Sequence, residues 1–199
     1  MPTPLNTMRA IGLATALLAG TASATIVYDE AVDGEMSEDR FNPTVVTVGP
    51  GTNNVIFTTT PGEDRDIFTF TVAEGLQLSG IVLAEFETEP IGNLAFLGFA
   101  AGDILPTDPF KAPDASSLLG YALVGEGDVG SDLFLPMGMA SGAIGYDGPL
   151  GPGAYTFWAQ ETGDSADLWN LGFVIEPIPA PGAIALLGLA GLARGRRRR

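Results

Sequence analysis

Short apolar runs broken by turn residues dominate the chain from Asn42 to Ile175. "DIFTFTV" (66–72) has the sharpest alternation. A strand here places Phe68, Phe70 and Val72 on one face and Ile67, Thr69 and Thr71 on the other. "NPTVVTV" (42–48) and "NNVIFTTT" (53–60) read as strands joined by the turn "GPGT". "LQLSGIVLAEF" (76–86), "NLAFLGFA" (93–100) and "SLLGYALV" (117–124) follow, the second apolar enough for a central position. "GAYTFWAQ" (153–160) puts Tyr155, Phe157 and Ala159 together, opposite Thr156, Trp158 and Gln160. Trp158 therefore reads as exposed; cover by a loop is the alternative. "LWNLGFVI" (168–175) aligns Trp169, Leu171, Phe173 and Ile175, so Trp169 reads as core.

Residues 101–116 carry Pro106, Pro109 and Pro113 and predict a long loop, and 125–147 is Gly-rich without a pattern. No helical period is sustained and no internal repeat is visible. The expected fold is all-β, an antiparallel, jelly-roll-like β-sandwich over residues 25–176. A signal helix precedes it and an apolar helix follows it.

The leader reads "MPTPLNTMRAIGLATALLAGTASA" (1–24). Arg9 precedes an uncharged apolar run from Ala10 to Gly20, and Ala22-Ser23-Ala24 supplies a small-x-small cleavage site. This is the three-part layout of a secretory signal peptide. It predicts export, cleavage by signal peptidase and a mature chain from Thr25. A buried N-terminal helix is the alternative.

The C-terminus carries Pro179-Ala180-Pro181, then Ala183–Ala193 without a polar side chain, then Arg194, Arg196, Arg197, Arg198 and Arg199. Ala183, Leu186, Leu187, Leu189 and Leu192 make the segment a short apolar helix. Those residues cover only about 16 Å of a hydrocarbon core about 30 Å thick. It predicts a minimal, transient inner-membrane anchor, with the arginines on the cytoplasmic side. A permanent tail anchor is the alternative.

Residues 177–199 resemble the bacterial PEP-CTERM sorting signal, which joins a Pro-Glu-Pro-type motif, an apolar helix and an Arg cluster. Ala180 stands where that family carries Glu. The resemblance implies processing near Pro179–Pro181 by an exosortase-like membrane enzyme. It also implies delivery to the cell surface or extracellular matrix. More loosely, "DRDIFTFTV" and "AIGYDGPLGPGAYTFWAQETG" are similar to β-sandwich domains appended to secreted bacterial peptidases. There an Asp-x-Asp pair precedes a Phe-x-Phe strand, and the likeness implies no catalytic residue.

Charge sharpens this picture. The net charge is −15, yet six of the nine cations lie at the two ends. The body holds Arg40, Arg65 and Lys111 against all 24 acids, a balance of −21. Such a surface repels nucleic acid. The chain has no Cys and no His. Disulfides, thiolate or imidazole metal sites, and Ser-His or Cys-His catalysis are thereby excluded. Calcium, which takes oxygen ligands, stays open.

Two acidic stretches are candidates for it. "YDEAVDGEMSED" (28–39) includes Asp33 and Glu35 and fits a calcium loop or a solvated acidic loop. In "GEDRDIF" (62–68), Asp64 and Asp66 flank Arg65. They can face one ion, or Arg65 can pair with a neighbouring acid and pin the turn. Two carboxylates suffice for glycoside cleavage, but no segment marks one acid in an apolar pocket.

The sequence thus predicts a non-enzymatic exported protein, structural or adhesive in exopolysaccharide or biofilm. A calcium-assisted carbohydrate-binding module using Trp158 is the alternative, and a small secreted hydrolase a weaker one.

Overall fold

The computed structural model describes residues 24–179 except 63, 90, 112 and 113. The expected signal helix and cleavage residue Ala22 lie outside the described residues. So do Ala180, Pro181, the apolar helix (Ala183, Leu186, Leu187, Leu189, Leu192) and the arginines from Arg194 to Arg199. Among the described residues no helix is long and apolar enough to cross a membrane.

The described chain is mostly strand, in two sheets. One has the order β1 (Thr25–Asp29), β3 (Gly51–Thr59), β9 (Ala166–Pro177), β5 (Leu76–Glu89). The other has the order β2 (Thr44–Val45), β4 (Arg65–Val72), β8 (Gly153–Glu161), β6 (Ala95–Ala101), β7 (Gly120–Val124). The sheets are mixed, which corrects the purely antiparallel expectation. β1 runs parallel to β3 and β2 parallel to β4, while the remaining ladders are antiparallel. The reason is local. β1 and β2 belong to an N-terminal segment laid along one edge of each sheet, reached by crossovers instead of hairpins. The expected strand 42–48 shrinks to β2, and β1 and the one-turn helix α1 (Glu30–Asp33) had no periodic signal.

The alternation within strands places the core. Phe68, Phe70 and Val72 of β4, Tyr155, Phe157 and Ala159 of β8, and Trp169, Leu171, Phe173 and Ile175 of β9 join one buried cluster between the sheets. Rings cross the interface directly: Phe68 and Phe173 centroids are 5.9 Å apart, Phe70 and Phe173 5.0 Å, and Phe157 and Phe173 4.8 Å. The unpatterned 125–147 region supplies a substitute strand. Gly130 N–H donates to the Leu83 carbonyl and Leu133 N–H to that of Ile81, so this segment lies along the outer edge of β5. It leads into α2 (Phe134–Gly138), whose Phe134 and Met137 are buried.

Trp158 is only 1% exposed, so the loop-covered alternative holds and the open sugar platform does not. It packs with Ile67, Ala100, Leu105 and Leu118 in a second apolar cluster on the outer face of the second sheet, 4.5 Å from the Phe96 ring. The Pro-rich loop covers this face, and polar residues tether it. Arg40 Nη1 donates to the carbonyls of Leu105 and Pro106, each at 3.0 Å. Thr156 Oγ1 donates to the Gly102 carbonyl at 2.8 Å, and Arg65 Nε to that of Pro109 at 3.1 Å. Thr156, one of the polar residues that made this face read as exposed, is thus one of the loop's anchors.

Candidate functional site

The N-terminal segment and β4 build a group of three carboxylates at one end of the inter-sheet core. Asp29 caps α1 by accepting from the Ala31 N–H at 3.1 Å. Gly34 then takes φ +102°, a conformation glycine reaches without strain, and the chain reverses. The reversal returns Glu35 over Glu30 and drops Met36 into the core. Tyr28 Oη locks the turn by donating to the Gly34 carbonyl at 2.5 Å. Glu30 is held from two sides. Its Oε1 accepts from the Met36 N–H at 3.2 Å, and its Oε2 accepts from the N–H and hydroxyl of Thr58, both at 2.8 Å.

Asp66 completes the group. It shares the strand parity of Phe68, Phe70 and Val72, so it enters the inter-sheet space. Its side chain is fully buried, and among the described residues neither carboxylate oxygen has a hydrogen-bond partner. Carboxylate oxygens of Glu30, Glu35 and Asp66 lie within 4.8 Å of one another. Burial, reinforced by Glu30, Asp64, Glu35 and Glu38, pushes the Asp66 carboxyl up to about 9. Burial and the Glu30 charge also raise Glu35. Arg65 offers no relief. One residue out of phase, it faces the other side, where its guanidinium lies 4.2 Å from the Phe110 ring centroid.

Glu35 and Asp66, from separate acidic stretches, thus come together with Glu30. Asp33 does not join them; its Oδ2 accepts from the Asp29 N–H at 2.9 Å, within its own turn. Asp64 also stays outside. Its Oδ2 accepts from the Thr60 N–H at 2.7 Å and hydroxyl at 2.8 Å, close enough only to add charge. A signal for Asp66 was present in the sequence, because the parity that assigns Phe68 and Phe70 to the core also assigns Asp66. Chemically, a buried carboxylate among acids must share a proton or meet a cation. Asp66 itself is buried, and the open cleft at this end of the core is lined by Glu30 and Glu35.

A second acid pair closes the β8–β9 hairpin. Ser165 Oγ lies 2.8 Å from Glu161 Oε2 and 3.2 Å from Asp167 Oδ1. Asn93 donates to both Glu161 and Ser165. Burial and the hydrogen bond with Glu161 push Asp167 up to about 6. Burial acts to raise Glu161 as well, but hydrogen bonds from Asp167, Ser165, Gly163 and Asn93 outweigh it and hold the group low. The folded chain keeps the Asp167 proton to about pH 6, whereas the unfolded chain releases it near 3.8. This stabilisation is complete below that lower value and fades as pH rises toward 6. Melting temperature followed across this window should fall less steeply in Asp167→Asn than in the parent. Parallel curves would refute the shared proton.

Of the remaining expected residues, Ala24 and Pro179 are exposed and Trp158 is enclosed as described. Comparison with known proteins finds no matching family model, no similar curated protein and no similar solved structure.

Proposed function

We propose that this is an exported bacterial surface or extracellular-matrix protein with a structural or adhesive role in exopolysaccharide or biofilm. Its body is a jelly-roll-like sandwich between two sorting signals. The observation that supports this is where the first and last strands among the described residues begin and end. β1 starts at Thr25, the residue after the expected cleavage site, and β9 ends at Pro177, two residues before the Pro179-Ala180-Pro181 motif. The neighbouring Ala24 and Pro179 are exposed, so processing enzymes can reach both junctions without unfolding a strand.

The connectivity supports the jelly-roll description. β3 pairs with β9, β4 with β8, β6 with β7, and β5 with the 130–133 segment. That is a long hairpin of strand pairs folded across two sheets. The acidic body suits a soluble extracellular life. Carbohydrate binding through Trp158 loses its motive once that ring is enclosed.

Expression in a host carrying an exosortase, and in the same host with that gene deleted, tests the sorting step. The chain should reach the cell exterior without its arginine tail in the first host and stay membrane-associated with the tail in the second. Identical products in both hosts would overturn it.

A further inference from the structure

We propose that Glu30, Glu35 and Asp66 bind one calcium ion, which staples the N-terminal segment Glu30–Met36 to β4. The three residues come from two segments more than thirty positions apart, yet their carboxylate oxygens lie within 4.8 Å of one another. Proximity of acids alone would be unremarkable on so acidic a chain. Asp66 is what distinguishes this group. It is fully buried, aimed into the group, and has no donor for either oxygen among the described residues. Buried carboxylates are ordinarily paired, hydrogen-bonded or bound to metal. The adjacent cation, Arg65, is committed to the Pro109 carbonyl and the Phe110 ring on the opposite face.

The donor set selects the ion. Three carboxylates without His or Cys suit a hard cation. They project from a turn and a strand start, an irregular arrangement that calcium accepts and magnesium, with its strict octahedron, does not. Glu30 is already oriented by Met36 and Thr58, so one ligand is fixed before the ion arrives. An open cleft between α1 and β3 reaches Glu30 and Glu35 and gives the ion a path. Water completes the coordination. The ion would tie the end of the parallel β1 segment to the second sheet, reinforcing the adjacent backbone bridge in which Ile67 N–H donates to the Ser37 carbonyl at 2.9 Å. This proposal is independent of the export reading, because a chain that kept Met1 would still form the site.

The test uses the full chain, stripped with a chelator and titrated calorimetrically with calcium chloride and, separately, magnesium chloride. One calcium per chain is expected, with a dissociation constant of about 0.1 mM, in the range of extracellular calcium modules. Saturating calcium should raise the melting temperature, and chelator should reverse the rise. Asp66→Asn should weaken calcium binding by at least about 100-fold. In chelator it should melt at or above the parent temperature, since it removes an uncompensated buried acid. Glu35→Gln, an exposed position, should weaken binding without altering melting in chelator, and it decides the matter alone if Asp66→Asn does not fold. Absence of both calcium heat and a melting shift would overturn the site. Parent-like affinity in the variants would overturn the residue assignment, and tighter binding of magnesium would overturn the choice of ion.

Discussion

Trp169→Ala should lower the unfolding free energy by about 4 kcal/mol, near the upper end for a large-to-small core change. Three contacts set that size. The indole stacks on Phe57 at 5.6 Å, meets Phe86 edge-on at 4.8 Å, and donates from Nε1 to Thr59 Oγ1 at 3.0 Å. Truncation leaves a cavity shared by β3, β5 and β9, and β3 and β9, each paired on both sides, cannot collapse into it. It also strands the Thr59 hydroxyl, whose residue is fully buried. Trp169→Phe keeps most of the ring contacts and should cost roughly half as much. Urea denaturation of both variants reads the difference. A loss below about 1 kcal/mol for the alanine variant would mean that Trp169 is not at the centre of the core.

Gly138→Ala should cost at least 2–3 kcal/mol, roughly the upper range for overpacking, although it adds one methyl group. A Cβ there would stand 2.4 Å from the Tyr146 carbonyl oxygen and 3.1 Å from its ring. The peptide cannot slide away. On its other side it packs against Gly120 of β7, where a Cβ would lie 2.5 Å from the Met137 carbonyl oxygen. The Met137–Gly138 peptide is thus held between two backbones, and α2 is seated by the absence of side chains. Tyr146 Oη adds a clamp by donating to the Phe134 carbonyl. Gly120→Ala should behave alike. Gly127→Ala, which meets nothing within 4 Å, serves as the neutral control. Equal denaturation midpoints for all three variants would refute this seating.

Strands whose two faces differ in residue type were legible to within a few residues, because the face turned to the other sheet is uniformly apolar. β4, β8 and β9 are of that kind, and their inward residues are those the alternation assigns. Legibility fails where a second layer covers the outer face. Thr156, Gln160 and Arg65 look like solvent residues around Trp158, yet the first and last position or tether the Pro-rich loop that buries it. Segments ordered by turns and caps carry no period at all. The Glu30–Met36 reversal and the 130–138 edge are built from Gly34, Asp29, Asp132 and close backbone packing.

The carboxylate group was legible by halves. Both acidic stretches stood out, but their meeting depends on the crossover from β1 to β2, which no local pattern encodes. Asp66 could have been singled out from its parity with Phe68. Glu30 could not have been separated from Asp33, since only the fold turns one toward β3 and the other back on its own helix.

If the chain is exported and sorted as proposed, the folded body lies between two signals that are read and removed. Intact-mass measurement of the protein recovered from outside its own cells tests this most directly. The recovered chain should begin at Thr25 and end near Pro179–Pro181, without Arg194–Arg199. A recovered chain that keeps Met1 or the arginine cluster would contradict it.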